Sequence, residues 1–270
     1  MCLYKLRDWI DTKKLFWCFL SFNPDAISLL ERNPEKINWE YLSLNPAAID
    51  LLKRNPEKID WAFLSRNSAA GAIELLKQNP EKINWYHLSL NTGASELLKQ
   101  NPDKIDWEWL SENTGAAELL EQNPEKIDWD FLSSNPAAIG LLKRNPEKIN
   151  WYWLSQNSAA IGLLKQNIDK INWDHLSQNS AAGAIELLEQ NPDKIHWGHL
   201  SQNSGAIALL ERNQDKIVRH RFSKNLAIFE LDYAAIREKI APFKEELMSA
   251  VWHPRRIAAI LEAGGDLDNY

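Results

Sequence analysis

Cysteine is nearly absent from this 270-residue chain, with only Cys2 and Cys18. Both stand near the start, so no disulfide framework spans the rest, and a reducing compartment is the expectation. Basic excess is lacking as well: 31 Lys and Arg against 37 Asp and Glu give a formal net charge of −6. That balance opposes long-range attraction to phosphate backbones and steers a basic partner better than an acidic one. No apolar run reaches the length of a membrane span. The run Leu15-Phe16-Trp17-Cys18-Phe19-Leu20 has the look of a short signal core, yet it aligns residue for residue with the motif described below and reads as its first copy. Period-2 alternation is missing, and β-branched residues are almost confined to single isoleucines, which argues against strands. Walker A, G-x-G-x-x-G, G-x-S-x-G, H-E-x-x-H and C-x-x-C motifs are all lacking, so the expectation is a protein that is not an enzyme and uses no cofactor.

What is present is periodic. Tryptophan recurs at Trp17, Trp39, Trp61, Trp85, Trp107, Trp129, Trp151, Trp173 and Trp197, in steps of 22 residues with two of 24. Self-similarity at this period marks a stacked array in which each unit touches its neighbours. The unit reads roughly N-P-E-K-I-(N/D)-W-x-(aromatic)-L-S-x-N-(P/S/T)-x-A-I-x-L-L-(K/E)-(R/Q), and residues 33–54 are a clean copy.

Asn or Asp directly before the tryptophan, as at Asn38 and Asp60, can accept from the first free amides of a short helix. Trp39 and Leu42, three apart, share its inward face. Asn45-Pro46 reads as a cap with proline at the first helical position, and Ala48, Ile49, Leu51 and Leu52 follow at helical spacing to about Arg54. Asn55-Pro56 reads as the same device opening a single turn to Ile59. Two helices and one turn per unit predict an all-α, right-handed-type solenoid of 22–24 residue repeats. A spine of indoles, each burying on the order of 150–250 Å², is expected to hold it. The two longer units carry Ser-Ala-Ala-Gly-Ala-Ile at 68–73 and 180–185, and a loop extension or bulge is expected to absorb the extra residues.

At the start, Leu3, Leu6, Trp9 and Ile10 at helical spacing predict an N-terminal cap helix over 1–12, ahead of a solenoid of about nine units over 13–218. Arg219 then stands where tryptophan is due. Residues 219–270 read as a degenerate repeat and a helical C-terminal cap, with candidate helices near 230–240, 242–251 and 254–263 and an acidic tail over 266–270.

The motifs Asn55-Pro56-Glu57-Lys58-Ile59-Asp60-Trp61 and Leu42-Ser43-Leu44-Asn45-Pro46 resemble tandem repeat proteins of large DNA viruses that infect algae and protists. The segments Phe243-Lys244-Glu245-Glu246-Leu247, His253-Pro254-Arg255-Arg256-Ile257 and Leu261-Glu262-Ala263-Gly264 resemble the closing part of such proteins. The resemblance covers nearly the whole chain. It implies a viral source and a life in host cytoplasm or a virion, and it carries no site residues with it.

Function is therefore expected where the repeat varies. The position after the serine holds Leu44, Arg66, Leu90, Glu112, Gln156, Gln178 and Gln202, and the position after the tryptophan holds Glu40, Tyr86, Glu108, Asp130, Tyr152 and Asp174. These are the candidate partner-binding residues of a scaffold for protein–protein interaction, the partner's identity open. Two alternatives remain: a structural component of a virion, and single-stranded nucleic-acid binding on the aromatic column Phe19, Tyr41, Phe63, His87, Trp109, Phe131, Trp153, His175 and His199. That column also fits plain packing between units. His175, His196 and His199 suggest a metal set, but it lacks the Cys or carboxylate that normally completes one, and the expectation is no metal. The Glu-Lys and Asp-Lys pairs before each isoleucine read as solvated charge columns.

Overall fold

A computed structural model describes residues 4–251 and 253. The described residues divide into two compact units, 8–228 and a smaller one that joins 4–7 to 229–251. Residues 8–228 are an all-α solenoid of short repeats. Its units are built as the spacing predicts: a first helix such as Trp39–Leu44, a 3-10 turn Pro46–Ala48 running into a second helix Ile49–Arg54, and a closing turn Pro56–Lys58.

The first helices begin at Trp17, Trp39, Trp61, Trp85, Trp107, Trp129, Trp151, Trp173, Trp197 and Arg219, ten in all. The degenerate segment thus supplies a tenth first helix and its 3-10 turn, Leu226–Ile228, without a second helix, and the array runs to 228 instead of 218. First helices of successive units pack directly against one another, whereas second helices fan apart. Across the wider outer gap long side chains form ion pairs between units: Arg54 to Glu31 at 2.7 Å, Lys99 to Glu118 at 2.7 Å and Arg144 to Glu121 at 3.3 Å.

The core is a leucine and alanine stack. Leu42 of the first helix, Ala48 and Leu52 have no exposure, and their counterparts (Leu64, Ala72, Leu76; Leu110, Ala116, Leu120) repeat the pattern. The expected spine of indoles is not what forms. Each of the nine repeat tryptophans is only half-buried, and in eight of them, all but Trp39, the open face is covered by the lysine of the closing turn that follows. Lys36 Nζ lies 4.2 Å from the Trp17 ring, Lys126 4.5 Å from Trp107 and Lys148 4.3 Å from Trp129. These lysines of the Glu-Lys and Asp-Lys pairs are therefore cation–π lids and not free solvated charges, each worth about 0.5–1 kcal/mol at an exposed site. An indole is too large to fit the narrow gap between units, where leucine and alanine suffice.

Two polar ladders run behind the core. Ser43 Oγ donates to Trp39 O at 2.8 Å and accepts from Asp60 N–H of the next unit at 2.9 Å. Asn45 Oδ1 accepts from Ala47 N–H, capping the second helix, while its Nδ2 donates to Ser21 O and Asn23 O of the preceding unit, both at 3.0 Å. Both residues are fully buried, so every polar atom needs such a partner and the repeat has little freedom to vary there. The Asn-Pro of the closing turn differs from expectation: Asn55 does not cap forward, and its Nδ2 instead donates back to Leu51 O at 2.9 Å, ending the second helix.

In the longer units the extra residues are taken up before the second helix. Ala69 is extended, and turn and helix merge into one nine-residue helix, Ala70–Gln78, repeated at Ala182–Gln190. That step drives the helix start against the preceding unit, where a Cβ on Gly71 would stand 2.7 Å from Ile49 Cγ2. Glycine relieves the clash.

The ladders do not stop at the ends of the array. Ser223 of the tenth unit accepts from Phe16 N–H of the first at 2.9 Å, and Asn23 Nδ2 donates to Asn225 O at 3.3 Å. These are the bonds that any two adjacent units make, so residues 8–228 form a closed ring. At the seam Phe222 takes the core leucine position and Ile228 the alanine position, both buried. Trp9 packs on Phe222 with ring centroids 5.6 Å apart, supplying an indole where Arg219 leaves none.

The N-terminal cap helix predicted over 1–12 does not form among the described residues 4–12. Tyr4–Leu6 is a strand, β1, paired antiparallel with Phe229–Leu231, β2, with Lys5 opposite Glu230. Lys5 and Arg7, two apart and so on one face, both reach Glu230, at 3.6 and 3.1 Å. Long-range pairing overrides the helical spacing, and a closed ring presents no open end that a lid would have to cover. One helix, Tyr233–Val251, replaces the two expected over 230–251 and passes through Pro242, whose fixed φ suits a helix even though one backbone bond is lost. The expected helix at 254–263 and the acidic tail lie outside the described residues.

Candidate functional site

Ring closure assigns the variable positions to two surfaces. The residue after the serine leaves the C-terminal end of each first helix on the inner side. A cavity of about 460 Å³ shows this: it is lined from this column by Phe22, Leu44, Arg66, Leu90 and Lys224, with Phe19, Tyr41, Pro46, Ser68 and Thr92 beside them. Those residues come from the tenth unit and the first four. Side chains so far apart along the array meet only if they point toward the ring axis.

The inner wall changes character along its course. Units one to four and ten present aromatic and aliphatic groups with two cations, Arg66 and Lys224. Lys224 Nζ stands 4.3 Å from the Phe19 ring. Next comes Glu112, whose carboxyl is pushed up by burial and drawn partly back by the charge of Arg66 two units away. Ser134, buried and bonded to Phe131 O at 2.8 Å, then leads to Gln156, Gln178 and Gln202, all part-buried. Gln178 Nε2 lies 3.4 Å from His199 Nδ1.

The aromatic column sits beside this wall, half-buried except for His175, which is buried. Its rings pack on one another: Phe19 to Tyr41 at 5.6 Å, Tyr41 to Phe63 at 6.0 Å, Trp109 to Phe131 at 5.4 Å and Trp153 to His175 at 5.2 Å, mostly tilted or edge-on. Such contacts are the packing of adjacent units.

The residue after the tryptophan forms the second surface, one turn away on the same helices. Glu40, Tyr86, Glu108, Asp130, Tyr152 and Asp174 are all exposed, Tyr86 at 46% and Tyr152 at 48%. From the fourth unit to the eighth the order is Tyr86, Glu108, Asp130, Tyr152, Asp174, an unbroken run of phenols and carboxylates. Tyr86 leans on Trp109 at 4.9 Å, and Tyr152 on His175 at 3.8 Å, so both phenols are held by the next unit. Among the described residues these carboxylates enter no ion pair; Asp130 accepts from Asn150 Nδ2 at 2.9 Å.

Two of the three imidazoles are committed elsewhere, whereas the buried Nδ1 of His175 has no hydrogen-bond partner among the described residues. His196 takes the capping place of Asn or Asp, its Nδ1 accepting from His199 N–H at 3.0 Å. His199 Nδ1 lies 3.0 Å from Asp174 O. Burial and the neighbouring His199 push the His175 pKa down against a smaller upward pull from Asp174. Among the described residues no three His, Cys, Asp or Glu side chains converge as a metal site would need.

Sequence reasoning finds both variable columns but cannot tell inner wall from outer rim, and it omits Phe22 and Lys224. Their signal is the frame itself, since each follows the serine of its unit, Ser21 and Ser223. No family model, no curated protein and no solved structure matches this chain.

Proposed function

We propose that this protein is a non-enzymatic recognition scaffold that binds a basic segment of a partner protein along the rim from Tyr86 to Asp174. The observation that carries the reading is that five successive units expose only tyrosine and carboxylate there, and that among the described residues those carboxylates enter no ion pair. Tyrosine gives a broad amphipathic contact at small entropic cost and is enriched where binding energy concentrates. Unpaired carboxylates complement lysine and arginine, and the net charge of −6 steers such a partner inward. The packing of the aromatic column into itself favours a protein partner over stacked bases. No helix among the described residues is long and apolar enough to cross a membrane. A viral source, and residence in host cytoplasm or a virion, rest on the resemblance of the repeat motif. Ring closure weighs against a strut assembled by end-to-end extension, because no repeat face is left open for another copy to continue.

The test is titration of the full chain with a lysine- and arginine-rich peptide, and with a glutamate-rich one of equal length, by calorimetry at two salt concentrations. Saturable, salt-sensitive binding of the basic peptide, lost in a Tyr152→Ala, Glu108→Gln double variant, supports the reading. Equal affinity for both peptides, or for the variant, overturns it.

A further inference from the structure

We propose that the cavity on the inner wall binds a small amphipathic carboxylic acid, its apolar body on Phe19, Phe22, Leu44 and Leu90 and its carboxylate on Arg66 and Lys224. This site shares no residue with the Tyr86 to Asp174 rim and stands apart from the function proposed there.

Three observations converge on this chemistry. The cavity, at about 460 Å³, has the volume of a small-molecule pocket, apolar with a few placed polar groups. The charge in it has no ion-pair partner: Lys224 Nζ lies over the Phe19 ring at 4.3 Å, and Arg66 feels Glu112 through its charge without a contact. By contrast, Arg54, Lys99 and Arg144 pair with glutamates of adjoining units, and Lys36, Lys126 and Lys148 cover indoles. Among the described residues neither Arg66 nor Lys224 has a carboxylate within ion-pair distance. In a protein of net charge −6, two such cations set among four apolar side chains make a place where an anion gains and a cation does not. The third observation limits the length of the occupant. Glu112 follows Leu90 on the wall, close enough to Arg66 to feel its charge, and it repels an acidic chain that ran further round the ring. A short acid ends before that point, whereas an extended acidic peptide does not.

Decanoate is the probe, titrated into the full chain by calorimetry below its micelle range, with decyltrimethylammonium as the cation of matched body. Saturable binding of decanoate and none of the ammonium is expected. The Arg66→Gln, Lys224→Gln double variant should weaken decanoate by at least about tenfold, and Glu112→Gln should tighten it. Both changes lie on accessible or part-buried side chains, and circular dichroism melts check that the ring is intact. Absence of saturable decanoate binding up to ~1 mM, or unchanged affinity in the double variant, overturns the proposal. Loss of basic-peptide binding in the rim variant with decanoate binding retained separates this site from the rim.

Discussion

Asn23 and Asn225 lie 202 positions apart in the chain, and the side-chain amide of the first donates to the backbone carbonyl of the second at 3.3 Å. The same amide-to-carbonyl bond joins Asn45 to Asn23, and Asn67 to Asn45, in units that are neighbours in sequence. A ladder that returns to its own first rung has no terminal repeat. Every unit is then supported on both sides, and the stability of the seam becomes comparable with that of any other junction.

That equivalence can be measured. Ser223→Ala removes the acceptor of Phe16 N–H across the seam, and Ser133→Ala removes that of Asn150 N–H in the middle of the array. Each leaves a backbone donor without its partner, a loss of about 1–3 kcal/mol. Urea denaturation should show similar shifts for both. A full-sized loss at Ser133 with none at Ser223 would mean that the ring is open in solution.

Leucine and not tryptophan carries the core. Leu110 has no exposure, so Leu110→Ala should cost about 2–5 kcal/mol. Trp107, half-buried and covered on one face by Lys126, should cost less on truncation despite its larger ring. The ordering of the two midpoints in chemical denaturation decides it; a larger shift for Trp107→Ala would restore the indole spine.

Asn135 is fully buried, and its amide donates to Ser111 O and Asn113 O at 3.0 and 3.1 Å. Asn135→Asp keeps the shape, removes both donors and sets a carboxylate against two carbonyls, which should cost about 3–5 kcal/mol at neutral pH. The introduced acid has its folded pKa raised, so the variant should recover part of that stability as pH falls toward the ordinary carboxylate range. A variant equally destabilised at pH 4 and pH 7 would contradict this account of the ladder.

His175 gives the wild-type protein a pH dependence of the other sign. Its folded pKa is lowered, first by burial and then by His199. The unfolded chain therefore takes up a proton before the folded one does. Stability from the neutral imidazole is complete above the unfolded value near 6.5 and is lost progressively as pH falls from there toward the lowered folded value. Thermal melts between pH 8 and pH 5 should show a decline that is shallower in His175→Phe, since phenylalanine occupies the same column at Phe131 and does not titrate.

Much of this molecule was legible one unit at a time. The order Asn38, Trp39, Leu42, Ser43, Asn45, Pro46 states cap, helix, core contact and second cap in turn, and the helices stand where those residues place them because capping and apolar spacing act within a few positions. The variable columns were legible for the same reason: they are what changes inside a constant frame. The part played by Asn55 was not, because forward and backward hydrogen bonding by one amide leave the same residue in the same place.

What the sequence by itself determined is the unit, with its two helices, their asparagine and aspartate caps and its turn; the count of nine fell one short of the ten first helices, and the bonds by which serine and asparagine tie each unit to the one before came from the structure. Closure belonged to the tertiary structure, because it depends on the small rotation between units summed over ten steps, a quantity to which no single residue points. That sum brings Ser223 to Phe16 and Lys224 to Phe19, turns one variable column inward and leaves the other at the rim. It also frees Tyr4–Leu6 from a capping role to pair with Phe229–Leu231, since a stack whose last unit meets its first has no apolar end to shield from water.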